Sequence, residues 1–434
     1  MGHDREILRL AVPALGSLAA DPLLSIVDAA LIGHLGVAPL AALALAVVIF
    51  NLAFTVFNFL AYGTTGPVAR LVASGKTRHA ASYAAQAFWV ALGLGVVVTV
   101  AAELLARPLG RLAGGRGEVL DLFLVYFRIR ILALTPLLVT MVGHGLFRGL
   151  QDTRTPLLIT VGVNAVNATL AYVLIYPVGL GVAGAAIATL SAQSVGAAIF
   201  FWRGARRVRP WAGDGAWRPH WAPMRGLLQL SRSLLLRTAS LYGVFFLSTS
   251  VAARMGTATV AAHQVAIELW MFLAMLLDSI AIAGQALTGR YLGMGDAARA
   301  EQVGRRMLVW GVGMGVVFGA AFWAGRALLP RIFTTDPAVL AGVAGIFVFV
   351  AAFQPLNGFV FVLDGILIGA SDAAYLARSM VLSALCAVPM ALLSLRYGWG
   401  LTGIWLGLST LMVVRALTVG LRFYSGRWTR AAAR

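Results

Sequence analysis

Apolar stretches long enough to cross a lipid bilayer recur along almost the whole chain. The hydrocarbon core of a bilayer takes about 20 apolar residues per spanning helix. Of the 434 residues, 60% are hydrophobic and 12% charged, against roughly 25% charged in a soluble domain. The 48 glycines lie scattered within the apolar runs, which suits close helix contacts in lipid. The chain therefore reads as an all-α membrane protein.

The net charge of +18 is a matter of topology. Nucleic-acid binding asks for a basic face interleaved with aromatics on a soluble domain. Here the basic residues are nearly all Arg, with Lys76 the only Lys, and they gather in short segments between apolar runs. No nucleic-acid partner is expected. The single Cys386 lies in an apolar segment and has no internal disulfide partner. The apolar run after His3, Asp4, Arg5 and Glu6 is too long for a signal peptide and contains Asp21 and Asp28. It is expected to be the first span.

Twelve spans are predicted: 7–35, 39–72, 83–108, 119–148, 154–176 and 180–203, then 226–254, 257–292, 303–328, 338–368, 373–397 and 400–424. Residues 1–205 form an N-lobe and 226–434 a C-lobe. The polar segment 206–225 between them, with Arg206, Arg207, Arg209, Pro210 and Pro219, reads as a cytoplasmic linker. One side of this topology, which holds both termini, carries roughly three times the Arg and Lys of the other. Both termini are expected in the cytoplasm of a cell-membrane protein. Arg107, Arg111 and Arg116 dissent from the bias without overturning it.

An internal repeat fixes the architecture. Adding 220 to a number in the first half finds its counterpart: His34-Leu35-Gly36 with Arg254-Met255-Gly256, Ala41-Ala42 with Ala261-Ala262, and Ser74-Gly75 with Met294-Gly295. Gly145, Gly149 and Asp152 meet Gly365, Gly369 and Asp372. The offset then slips by one, so Gly179, Gly181 and Gly184 meet Gly398, Gly400 and Gly403. Six helices per unit make the halves parallel, related by a pseudo-twofold axis along the membrane normal. Such symmetry places a substrate cavity between them.

The run Leu10-Ala11-Val12-Pro13-Ala14-Leu15, followed by Val27-Asp28-Ala29-Ala30-Leu31-Ile32-Gly33-His34-Leu35-Gly36, resembles the first helix of the multidrug and toxic compound extrusion (MATE) transporters, and within them the DinF subfamily. Thr64-Thr65-Gly66, the run from Arg148 to Pro156, Ala261-Ala262-His263-Gln264 and Leu363-Asp364-Gly365 agree. The resemblance covers nearly the full chain. It implies two six-helix lobes around a V-shaped central cavity, alternating access, and export of organic cations or other amphipathic compounds in exchange for protons or sodium ions. It implies small-molecule substrates, protons and membrane lipids as partners, a monomer, and no cofactor.

An ionisable group inside a bilayer costs about 3 kcal/mol or more, which makes each one a functional candidate. Asp28, flanked by Ile26, Val27, Ala29 and Ala30, is the foremost. A carboxyl in low dielectric can exchange a proton for a cationic cargo, which is enough for antiport. The resemblance makes Asp28 the proton-coupling carboxylate. Asp21, two turns away on the same face, either joins it or caps a kink at Pro22. Asn164 and Asn167 share a face of the fifth span and either approach the carboxylate or only bond helix to helix. Relatives often carry an Asp where this chain has Ala171.

In the second half, Arg237 sits within the seventh span with Glu268 and Asp278 on the eighth, about ten residues and three turns apart. A structural ion pair of Arg237 with one of these acids is the first reading, and substrate binding the second. The sodium-coupled branch of the family carries carboxylates where this chain has Leu241 and Asn357, which favours protons. Asp364 is expected in an Asp-Gly turn at a helix end. Asp152 is expected to cap a helix. Arg128 and Arg130 either snorkel or neutralise a cavity acid, and His144 and His263 are expected to be packed and hydrogen-bonded.

Other functions compete. A flippase of lipid-linked intermediates would use cationic cavities, and some relatives export organic anions. A major-facilitator transporter usually carries an acidic and basic signature between its second and third spans, which Arg70-Leu71-Val72-Ala73-Ser74-Gly75-Lys76 does not match. An enzyme is not expected, since no His-Glu-x-x-His, nucleophile elbow or P-loop lysine is present.

Overall fold

The computed structural model describes residues 2–213 and 215–431; one position of the expected linker, Asp214, lies outside the described residues. All regular structure among the described residues is helical. The first half contains α1 (Gly2–Gly33), α2 (Val37–Phe57), α3 (Phe59–Ala73), α4 (Thr77–Leu104), the short α5 (Ala106–Leu112), α6 (Gly117–Ile131), α7 (Leu134–Gly149), α8 (Arg154–Ile175) and α9 (Gly181–Val208). The second contains α10 (Trp221–Arg254), α11 (Thr257–Gly293), α12 (Ala297–Ala324), α13 (Pro337–Ala352), α14 (Gln354–Gly369), α15 (Ala373–Tyr397), α16 (Gly400–Tyr424) and α17 (Arg427–Ala431).

Ten segments are long and apolar enough to cross a membrane, with α2 and α3 together forming one, Val37–Ala73. Two further spans are broken: α6 and α7 meet at a 45° bend, α13 and α14 at 50°. With each bent pair counted as one span, the number is twelve, six in each half. The sequence predicts the fourth and tenth as continuous helices, and the bends correct this. Pro136 and Pro355 stand in the first turns of α7 and α14. Each lacks an N–H and crowds the preceding turn, so the chain breaks just before it.

The repeat reappears in the element boundaries. Helices begin at 37 and 257, at 77 and 297, and at 117 and 337, then at 154 and 373 and at 181 and 400. Gln151 (φ 62°) and Ser371 (φ 58°) are the only non-glycine residues with positive φ among the described residues. They occupy equivalent positions just past α7 and α14, where a left-handed residue ends a helix. α4 and α12 start six residues earlier than the predicted 83 and 303, because their first turns are polar (Arg78, His79; Arg299, Glu301) and lie outside the apolar run.

Contacts divide the chain into two compact units, Val12–Ser231 and Met1–Ala11 with Arg232–Arg434. Each is built on the same close helix pair. In the first unit α7 packs on α3, and a Cβ at Gly145 would fall 2.5 Å from the Ala61 carbonyl oxygen. In the second unit α14 packs on α11, and a Cβ at Gly365 would fall 2.2 Å from the carbonyl oxygen of Ala281, the residue equivalent to Ala61. Small residues four apart let backbones touch where lipid offers no hydrophobic drive to associate.

The first residues of α1 are held by the second unit. Asp4 accepts from Arg306 Nε and Nη2 at 2.6 and 2.8 Å and from Trp310 Nε1 at 2.7 Å. Glu6 accepts from the Tyr291 hydroxyl at 2.7 Å.

Candidate functional site

In the unit Val12–Ser231, α1 is tied to α8 along one polar seam. The hydroxyls of Ser17 and Thr160 lie 3.5 Å apart, Asn164 Nδ2 donates to Asp21 Oδ1 at 3.3 Å, and the Tyr176 hydroxyl donates to the Leu31 carbonyl at 2.7 Å. The spacing explains the seam: positions 17, 21 and 28 of α1 fall on one face, as do 160, 164 and 167 of α8. Asp21 stands exposed on the unit and Asp28 is half-buried. Asp28 is five residues from the end of α1, about 8 Å along its axis, and Asp21 is nearer the helix middle. Asn167 is buried, and its Oδ1 has no hydrogen-bond partner among the described residues.

The Arg130 charge acts on both carboxylates without a direct ion pair to either. It is positioned at the end of α6, just before the bend, where Nη1 donates to Gln193 Oε1 at 3.2 Å and the guanidinium lies 4.8 Å over the Phe50 ring. Its neighbour Arg128 points elsewhere and pairs with Glu103 at 3.1 Å, both side chains well exposed. Of the two arginines, Arg128 lies at the surface, while Arg130 is turned to Gln193 and Phe50.

The second unit holds a buried charged triad. Asp364 accepts from both Arg237 and Arg415, and all three side chains are largely removed from solvent. Arg237 thus has an ion pair with Asp364, an acid that the expectation of Glu268 or Asp278 did not offer. Glu268 instead accepts from Gln264 Nε2 at 2.8 Å, one turn back on its own helix, and Asp278 is half-buried on α11. Asp364 also corrects the expected turn, since it lies inside α14, where the following Gly365 serves the contact with α11 rather than a reversal of the chain.

Arg415 is absent from the sequence reading. Its signal was a lone charge inside the apolar stretch that forms α16, which intramembrane energetics would have marked. Near the triad, Phe245, Trp270, Phe353, Trp405 and Met412 line a small apolar cavity with Asn357. His263 packs edge-on to Trp405 with centroids 6.0 Å apart. Neither of its nitrogens has a hydrogen-bond partner among the described residues, which corrects the expectation of a hydrogen-bonded ring. His144 meets that expectation: its ring packs tilted against Phe200 with centroids 4.8 Å apart, and Nε2 lies 3.4 Å from the Thr160 hydroxyl. Asp152 accepts from the N–H groups of Arg154 and Thr155 at 3.1 and 3.0 Å, capping α8. Its counterpart Asp372 accepts from Arg422 Nε at 2.7 Å. Among the described residues, no three His, Cys, Asp or Glu side chains come together in a way that could hold a metal ion.

The two units therefore treat their acids differently. One offers two carboxylates with an amide neighbour and a cation at a distance, and the other locks its acid between two guanidiniums.

The profile of the MatE family matches residues 13–173 and 234–393, the two halves of the repeat. Protein DETOXIFICATION 44, chloroplastic, of Arabidopsis thaliana is 32% identical over 98% of this chain and 81% of its own length. DNA damage-inducible protein F of Escherichia coli is 28% identical over 99% and 94%. The crystal structure of the Vibrio cholerae MATE transporter VcmN in the bent form superposes with a TM-score of 0.88 over 100% of this chain and 97% of that one, at 20% identity, a likeness of fold. The family profile over both halves and the identity to these relatives show that the chain belongs to the MatE family of multidrug and toxic compound efflux transporters.

Proposed function

We propose that this membrane protein is a secondary antiporter that exports organic cations or other amphipathic compounds in exchange for protons. It acts as a monomer in the cell membrane with both termini in the cytoplasm, and the halves 1–205 and 226–434 move as lobes joined by the segment 206–225. One observation carries the coupling reading: Asp21 and Asp28 have no ion-pair partner among the described residues, whereas Asp364 has two. A proton arriving at Asp364 would have to displace a guanidinium from a buried pair, which is costly. At Asp28 it competes only with water and cargo. Asn164 holds Asp21 in place, and the Arg130 charge sets the field in which either carboxyl changes state. Protons rather than sodium are favoured because Leu241 and Asn357 leave the second unit without the two acids that the sodium-coupled pattern uses.

The test is Asp28→Asn in proteoliposomes. Drug-driven proton movement is expected to disappear while the protein remains folded. Unchanged pH-dependent export by that variant would defeat the assignment. A large loss of wild-type transport on replacing sodium with potassium at fixed pH would move the coupling to sodium.

A further inference from the structure

The segment after α9 is folded back onto the first unit. Gln86 on α4 donates from Nε2 to the Arg218 carbonyl at 2.9 Å and accepts from the His220 N–H at 2.8 Å, and it is 1% exposed. Trp89 Nε1 donates to the Trp217 carbonyl at 2.8 Å, and the Trp217 ring packs edge-on to Phe201 at 5.8 Å. These contacts fix one wall of an open groove of about 710 Å³, whose other wall is the end of α9. It is lined by Trp202, Ala205, Arg206, Arg209, Ala212 and Trp217.

The chemistry of the groove is two cations between two indoles. Arg206 and Arg209 are three residues apart and face the same space, and the Arg206 guanidinium lies 5.6 Å from the Trp202 ring. Neither guanidinium has an acidic or carbonyl partner among the described residues. Trp202, 56% exposed, stands at the polar end of a span, where indoles settle at the boundary between lipid and water. Paired guanidiniums match the oxygens of a phosphate, and basic pockets beside transmembrane helices hold anionic headgroups. We propose that this groove binds the phosphodiester of an anionic phospholipid, with Arg206 and Arg209 on the phosphate and Trp202 and Trp217 against the glycerol and upper acyl chain. A free phosphate shares the charge but has no apolar part for the two indoles, so a lipid is the occupant. The site is independent of which ion drives transport.

Native mass spectrometry of the full chain in detergent, titrated with phosphatidylglycerol and with phosphatidylcholine of the same acyl chains, tests it. Phosphatidylglycerol is expected to bind more tightly. The double variant Arg206→Gln, Arg209→Gln is expected to lose about thirtyfold in that affinity, Arg206→Lys with Arg209→Lys to keep most of it, and Trp202→Ala to weaken both lipids. Inorganic phosphate in large excess is expected not to displace the lipid. Equal affinity in the glutamine variant, equal binding of the two lipids, or displacement by inorganic phosphate would each overturn the proposal.

Discussion

Arg415, 1% exposed, donates to the same carboxylate oxygen of Asp364 that receives Arg237. Three helices, α10, α14 and α16, are thereby joined at one atom inside the second unit. A charge so buried is tolerable only while its partner stays, and removing one member leaves the other uncompensated.

Arg415→Leu is therefore expected to destabilise the protein by about 3–5 kcal/mol, and Asp364→Leu, which strands two guanidiniums, by at least as much. Arg415→Lys keeps the charge without the planar fork and should fall between. Thermal unfolding in detergent measures all three. A melting temperature unchanged in Arg415→Leu would show that the triad carries no structural weight.

Gly365 and Gly145 make the second expectation. A methyl group at Gly365 meets the Ala281 carbonyl oxygen at 2.2 Å, and backbone cannot step aside as a side chain can. Gly365→Ala should cost about 1–3 kcal/mol through overpacking, and Gly145→Ala a similar amount. Gly162→Ala, where the space is open, should cost far less. Equal melting temperatures for Gly365→Ala and Gly162→Ala would contradict the close-contact account.

Spans and repeat were legible in the sequence because both rest on apolar length and on a fixed offset, and lipid enforces them. The bends before Pro136 and Pro355 were not read, since each broken span is apolar throughout and hydropathy passes over a break. Helical spacing put Asp21 with Asp28 and Asn164 with Asn167 on shared faces, and the family resemblance brought the fifth span towards the first. That Asn164 meets Asp21 required the fold. So did the partner of Arg237, because α14 and α16 follow α10 by more than a hundred residues and no local pattern says which of several acids a packed helix will present. Arg415 was readable as a lone charge in an apolar stretch, and only its partner required the fold.

Asn164→Leu removes the donor to Asp21 while keeping a side chain of similar size. Coupled efflux driven by a proton gradient is expected to fall several-fold, because the carboxylate loses its fixed position and one hydrogen bond, worth roughly 1 kcal/mol. Binding of a fluorescent cation without a gradient should change less. Arg130→Gln removes the charge that acts on both acids and should alter the pH dependence of transport, which Arg128→Gln at the surface should not. Identical pH profiles for the two glutamine variants would remove Arg130 from the site.

The last expectation concerns the start of α1, whose residues 4 and 6 are bonded to α11 and α12 while residues 12–33 belong to the other unit. A helix anchored at one end and carrying Pro13 and Pro22 along its length has weak points where missing backbone bonds let it bend. Asp4→Ala releases both Arg306 and Trp310, and Glu6→Gln keeps an acceptor for Tyr291 while losing charge. Hydrogen exchange should accelerate in residues 3–11 of Asp4→Ala, with the rest of the chain unchanged, and Glu6→Gln should show a smaller effect. If the segment is anchored by apolar burial of Ile7, Leu10 and Ala11 instead, exchange there will be the same in Asp4→Ala and in the parent protein.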